Sequence, residues 1–228
     1  MDGLLLIDKP SGWTSHDVVN KVRRTFRIPK VGHGGTLDPL ATGLLVLLLG
    51  KATKLSDSVM GGDKGYEGTL LLGRVTASQD TDGETLSEAD CSHVLKANLE
   101  TELGTLKGDS YQLPPMVSAV KINGQRLYKA ARKGIEVERE PRRIRIDEIK
   151  LLSFDPPFAR FEVQCGKGTY VRTIAHDVGQ KLGCGACLSA LRRIRSGSFS
   201  IDQAHSLSEV LALTPEELEK ILVKTDKP

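Results

Sequence analysis

Residues 31–50 read VGHGGTLDPLATGLLVLLLG. Glycines at 32, 34 and 35 lead to one aspartate, Asp38, between Leu37 and Pro39, and then to an apolar run ending at Gly50. What this loop is not decides the fold. A Walker A loop needs Gly, four residues, then Gly-Lys-Ser/Thr. Here Gly50-Lys51 is followed by Ala52, and Leu45 stands where the first glycine belongs. A dinucleotide fingerprint runs strand, loop, helix, whereas this loop follows a helical pattern and precedes a strand-sized run. With both phosphate readings excluded, Asp38 remains. Proline confines the residue before it to extended backbone, so Asp38 lies on a stiff stretch at the mouth of a strand anchored in the core. The glycines allow another backbone to approach closely. The competing reading is an Asx-turn carboxylate bonding its own main chain.

Upstream, GLLLID reads as a strand ended by a turn at Pro10 and Gly12. Thr14 followed by Asp17 marks a helix start, with Val18, Val19, Val22 and Phe26 on one face. Pro29 is expected to end that helix. Downstream of the 44–49 strand, a short helix is expected from about Ala52 to Met60. YEGTLLLGRVT reads as a strand, SQDTDGE as a polar turn, and Ser92 to Leu103 as an amphipathic helix. The stretch YQLPPMVSAVKINGQRLYKAARKGIEV holds two prolines, an Asn123-Gly124 hairpin signal and a basic part, and residues 110–142 are expected to form an insertion. RRIRIDEIKLLSF and ARFEVQC alternate as strands joined at DPP. GTYVRTIAHDVGQKLGC is mostly helix with Gly183 near its stop, RSGSFS is a strand, and TPEELEKIL carries Thr214 as cap with Pro215 in the first turn. Strands and helices interleave without a βαβ rhythm. The expected class is α+β, with a mixed, largely antiparallel central sheet flanked by helices.

The 228 residues suffice for a large domain with its own core. No apolar run reaches the roughly 18 residues of a membrane span, and MDGLLLIDKP lacks the basic region of a secretory signal. A cytoplasmic chain, or an organellar one already trimmed, is expected. The four cysteines are too scattered for a disulfide scaffold. Cys184 and Cys187 form a C-x-x-C without a second close pair, and structural cysteines are the better reading than zinc or redox chemistry. The five histidines show no metal spacing, and His33 alone shares the glycine loop. Net charge is +3, yet residues 121–150 and 167–195 each carry a local +5. Two basic segments suggest a polyanion partner, with a solvated surface as the alternative. Arg172, near a helix start, could form a bidentate pair with Asp38 and keep it ionised.

Several segments together resemble one family, the TruB-type tRNA pseudouridine synthases: DKPSGWTSHDVVNKVRR (8–24), VGHGGTLDPLATGLL (31–45), KGYEGTLLLG (64–73), QLPPMVSAVKINGQRLYKAARKG (112–134) and KGTYVRTIAHDVGQKLGCGACLSALRR (167–193). The resemblance implies a pseudouridine synthase-like core with an inserted thumb-like element. Asp38 matches the catalytic aspartate, Tyr66 the aromatic that stacks on the target uracil, and Arg172 the arginine that pairs with the aspartate. Tyr170, Leu191, Lys9 and Pro10 match residues lining and supporting the pocket. His33, beside Gly35, is similar to the residue that fills the space left by the flipped nucleotide. Three departures stand out. The loop reads Gly-His-Gly-Gly where bacterial members usually read Gly-His-Thr-Gly. Cys187 stands where a histidine is common. The match ends near His205, so residues 1–205 are expected as the catalytic domain and 206–228 as a short helical tail without the family's C-terminal RNA-binding domain of PUA type.

The implied reaction breaks the N1 glycosidic bond of uridine and joins C5 of the same base to the sugar. It is an isomerisation and is expected to need no cofactor. The base must first be flipped out of its stack. A carboxylate beside an anomeric carbon can attack C1′ or stabilise an oxocarbenium-like species. The implied partner is tRNA, through its T arm and the uridine at position 55, and a monomer without membrane contact is expected. Lys121, Arg126, Lys129, Arg132 and Arg142, with Lys133, Arg143 and Arg145, are candidates for phosphate contacts. A tRNA-folding chaperone with incidental or lost catalysis is the competing function, and Asp38→Asn separates the two.

Overall fold

The computed structural model describes residues 1–118, 120–122, 124–127 and 135–224. In chain order the strands are β1 (Gly3–Lys9), β2 (Val31–His33), β3 (Thr42–Leu49), β4 (Lys64–Leu72), β5 (Arg74–Thr76), β6 (Thr85–Glu88), β7 (Gly108–Gln112), β8 (Lys121–Ile122), β9 (Gln125–Arg126), β10 (Arg142–Asp155), β11 (Phe158–Cys165), β12 (Ala186–Ser196), β13 (Phe199–Ser200) and β14 (His205–Ser206). The helices are α1 (Ser15–Thr25), α2 (Ser56–Gly61), α3 (Lys96–Gly104), α4 (Val171–Lys181), α5 (Leu207–Ala212) and α6 (Pro215–Ile221). They fall into two compact units, Met1–Glu67 with Leu191–Pro228, and Gly68–Ala190; β4 and β12 contribute residues to both.

In the first unit the strand order is β14-β1-β3-β12-β4, with β2 also on β3 and β13 on β12. β1 and β3 are antiparallel, with Leu5 opposite Leu47 and Leu6 opposite Val46. The apolar run of β3 is explained by burial on both faces. Leu44, Val46 and Leu48 join Leu4, Leu6 and Ala52 in one cluster, while Leu45, Leu47 and Leu49 are equally buried on the other. α1 begins as its sequence demands. The Thr14 side chain accepts from Asp17 N, and the Asp17 carboxylate accepts from Thr14 N, a reciprocal cap. The helix stops earlier than expected, at Thr25, because Phe26 caps it and Arg27 turns to φ +53° before Pro29 is reached. The segment after Gln203 packs into this unit: β14 runs parallel to β1, Leu4 bridges Val223, and Leu207, Val210 and Leu218 are buried.

In the second unit the order is β12-β4-β11-β10-β7, and α3 packs against β10. Phe161, Val163, Leu70, Ile144, Ile146 and Leu99 are buried. β7 pairs with the start of β10, Gln112 opposite Arg142, so both ends of the expected 110–142 insertion are sheet strands. Between them β8 and β9 form a hairpin around Gly124 (φ +79°). The α+β class with a mixed, largely antiparallel sheet is what both units show.

Several local expectations need correction. The strand expected over YEGTLLLGRVT breaks at Gly73 (φ +79°), after which Arg74–Thr76 pairs with β6 in a separate hairpin. The helix expected from Ser92 starts at Lys96, because Ser92 is engaged by the Asp90 carboxylate in a local turn. The helix expected over 52–60 is a 3-10 segment, Gly50–Leu55, followed by α2. β12 begins at Ala186, well before the strand expected at RSGSFS.

Candidate active site

The Asp38 loop is held through its backbone by buried side chains distant in sequence. On the N-terminal side, Ser15 Oγ accepts from Leu37 N at 2.7 Å and donates to Leu37 O at 3.0 Å. On the C-terminal side, the Pro39 carbonyl accepts from Gly12 N at 2.9 Å and from Lys9 Nζ at 3.4 Å. Asp38's own carbonyl accepts from Ala41 N. Asp38 is half-buried, whereas Leu37 before it is sealed. A carboxylate on main chain tied from both sides loses little freedom on reacting, which is the requirement for an acid acting at one atom.

Arg193 ties down the glycine part of the loop. It is 1% exposed, and its planar fork donates to Leu44 O (2.7 Å), Gly35 O (3.1 Å) and Thr36 O (3.4 Å). β3 and β12 run parallel here, with Gly43 opposite Arg193. Gly43 has φ +96°, and a Cβ on it would overlap the Arg193 backbone, so only glycine allows this approach. Gly34 leaves room for a neighbour, since a Cβ there would overlap the Val59 side chain. His33 is half-buried, and its Nδ1 accepts from Gly35 N at 3.4 Å. Burial, then Arg193 and His16, lower its pKa, which favours the neutral ring.

Lys9 is fully buried and donates to Trp13 O (2.7 Å), Pro10 O (2.9 Å) and Pro39 O. Burial lowers its pKa to about 8, against the raising effect of Asp38. The folded pKa lies below the ordinary 10.5. Between these values the unfolded chain holds the extra proton, so this group's contribution to stability rises with pH. Catalysis should move the other way. As Lys9 loses its charge, its hold on the Pro39 carbonyl weakens, and kcat is expected to fall through about pH 8 without unfolding. A kcat–pH profile checks this, with circular dichroism in parallel; the limb should be missing in Lys9→Met.

Tyr66 on β4 is buried, as is Leu191 on β12, whose carbonyl accepts from the Thr42 hydroxyl at 3.4 Å. Thus the first unit gathers Lys9, Pro10, His33, Gly35 and Asp38 around one loop and also contains Tyr66 and Leu191. Tyr170 and Arg172 belong to the second unit. Tyr170 caps α4, with its backbone bonded at both N and O by the Gln112 side chain (2.8 and 3.1 Å). Arg172 is 3% exposed. It donates to Ser78 O (2.7 Å) and Val117 O (2.8 Å), and its Nε lies 3.6 Å from Asp80. Asp80 is itself buried, accepting from the Ser78 hydroxyl and from Asp82 N. Sequence reasoning read Asp80 only as part of a polar turn and did not single out Ser15 or Arg193.

The basic residues divide. Arg142 is exposed, while Arg143 pairs with Asp109 and Arg145 with Asp147 at the surface. β8 and β9 carry Lys121 and Arg126; Lys129, Arg132 and Lys133 lie outside the described residues. Cys184 and Cys187 are buried, and burial raises both thiol pKa values, away from the reactive thiolate. No helix among the described residues is long and apolar enough to cross a membrane.

Comparison with known proteins converges on one class. The family model for the TruB family pseudouridylate synthase N-terminal domain matches residues 23–171, and that for the tRNA pseudouridylate synthase B C-terminal domain matches 172–227. The tRNA pseudouridine synthase B of Opitutus terrae is 52% identical over 98% of this chain and 92% of its own length. That of Syntrophotalea carbinolica is 48% identical over 98% of this chain and 73% of its own. Among solved structures, a chain of a Cbf5–Nop10–Gar1 complex superposes with a TM-score of 0.77 at 28% identity, covering 97% of this chain; this chain spans 59% of that one. The molecule is therefore a pseudouridylate synthase, an isomerase of uridine. Within that class, the chain belongs to the TruB family.

Proposed function

We propose that this chain converts the uridine at position 55 of the tRNA T loop to pseudouridine, with Asp38 acting at the anomeric carbon. The observation that carries this reading is the Asp38 loop: a half-buried carboxylate whose neighbouring backbone is bonded by Ser15, Lys9 and Arg193. Its tRNA target follows from the likeness to proteins named tRNA pseudouridine synthase B. In this reading the base is flipped out of the T loop and stacks on Tyr66. The role that the resemblance gives Arg172 is to keep the catalytic carboxylate ionised. Tyr170, Leu191, Lys9 and Pro10 shape the pocket, and His33 fills the space the base vacates. The N1–C1′ bond breaks with its electron pair on N1, while the carboxylate attacks C1′ or stabilises the sugar and the detached uracil turns; C5 then bonds to C1′, releasing any bond to the carboxylate, its hydrogen leaves as a proton, and N1 takes up a proton. A glycosidase would need a second carboxyl group and an admitted water; here the base is retained, and an isomerisation of this kind calls for no cofactor.

Lys121, Arg126, Lys129, Arg132 and Arg142 meet tRNA phosphates in this reading, and the 110–142 segment closes over the T arm. The enzyme acts as a monomer. The test is tritium release from an unmodified tRNA transcript carrying uridine labelled at C5. Stoichiometric release, lost when the T-loop uridine is replaced, supports the assignment. Tight tRNA binding with no release would instead favour an RNA-folding role.

A further inference from the structure

We propose that Ser15 is a positioning residue for Asp38, an inference that rests on the reading of Asp38 as the catalytic acid. Ser15 is the first residue of α1, and its exit from the helix is fixed by the Thr14–Asp17 cap, whose two bonds each measure 3.0 Å. The side chain is 1% exposed. Its single hydroxyl commits both donor and acceptor to one residue 22 positions away, Leu37. These two bonds act on different peptide planes. The Leu37 N–H belongs to the peptide before Leu37, and the Leu37 carbonyl belongs to the peptide whose N–H is that of Asp38. Ser15 therefore fixes the plane from which Asp38 departs. Pro39 restricts Asp38 from the other side, and the Pro39 carbonyl is held by Gly12 and Lys9. Without Ser15, the peptide entering Asp38 can rotate while the one leaving it cannot. The carboxylate would then swing about its own φ.

The consequence is specific. A misplacement of about 1 Å at a reacting group costs on the order of a hundredfold in rate. tRNA affinity, spread over many phosphate contacts, should not change. Ser15→Ala removes the hydroxyl, and Ser15→Cys keeps the volume but offers only a weak donor and acceptor. Both variants are expected to lower the single-turnover rate constant by about 10- to 100-fold at unchanged tRNA Kd. Ser15→Thr, which restores the hydroxyl, is expected to recover most of the rate. Rates are measured per folded molecule after thermal melts, so that a loss of folded protein is not counted as a loss of rate; if Ser15→Ala fails to fold, Ser15→Cys decides. A wild-type rate constant in Ser15→Cys would overturn the proposal. So would a loss carried by weaker tRNA binding at an unchanged rate constant. Asp38→Asn is assayed alongside. If it retains activity, the underlying reading of Asp38 fails. If it is inactive while Ser15→Cys is not, only the positioning role fails.

Discussion

Asp38→Asn is expected to lower tritium release from a T-loop-labelled tRNA by at least about a thousandfold while leaving tRNA binding intact. The substitution preserves shape and removes charge. Much of the loop's backbone support is made by other groups: Leu37 is bonded by Ser15, Pro39 by Gly12 and Lys9, and the Gly35 and Thr36 carbonyls by Arg193. The charge raises the Lys9 pKa, so the comparison is made below about pH 8, where Lys9 keeps its proton. The variant should therefore fold with the same loop. What disappears is the anion that, in the proposed mechanism, stabilises or attacks the anomeric carbon, and a neutral amide does neither. Filter binding and single-turnover release on the same preparation check the two halves of the statement. Release above about one per cent of wild type would place the essential charge on another residue.

The sequence was most informative where a local pattern and a tertiary need coincide. The Thr14–Asp17 cap, the β1 and β3 runs, the β10–β11 pair and the Thr214-Pro215 helix start are each specified by neighbours within a few residues. β12 was missed because its inward positions are not all apolar. Arg193 and Ser196 are buried there beside Leu188 and Leu191, which hides the alternation of a strand. A catalytic role for Asp38 was implied only by the family resemblance, while the stiff stretch that carries it was legible from Pro39 and the glycines before it. Its supports were not, because Ser15 and Arg193 act by bonding backbone that lies 22 and about 150 residues away.

The same buried arginines correct the reading of charge. The basic segment 167–195 was expected to present a positive face. Arg172 and Arg193 are interior, Arg192 makes a bidentate pair with Asp8, and Lys181 is bonded to Thr105 and Glu102. Counting cations along a chain cannot separate those that meet solvent from those that satisfy carbonyls. A guanidinium with five fixed donors suits the second task.

Arg172→Lys is expected to show how much that second task matters, with a fall in kcat of about a hundredfold or more and a loss of about 1–3 kcal/mol in stability. Among the partners of the guanidinium are three acceptors in different directions: Ser78 O, Val117 O and the Asp80 carboxylate. One ammonium on a flexible stem cannot reach all three, so at least one carbonyl is left without its donor in a buried place. The three acceptors also lie on different pieces of chain. Ser78 and Asp80 belong to the turn after β5, whereas Val117 lies between β7 and β8, at the start of the segment expected to close over RNA. Losing the fork should therefore loosen the path of that segment as well as the arginine itself. Asp80→Asn, which leaves the two carbonyl bonds in place, should cost less in both rate and stability. The double variant should be little worse than Arg172→Lys alone, because Asp80 acts through the arginine it orients. Denaturant titration and single-turnover rates on the four proteins of this cycle test the coupling. Fully additive losses would mean that Asp80 serves the fold independently of Arg172.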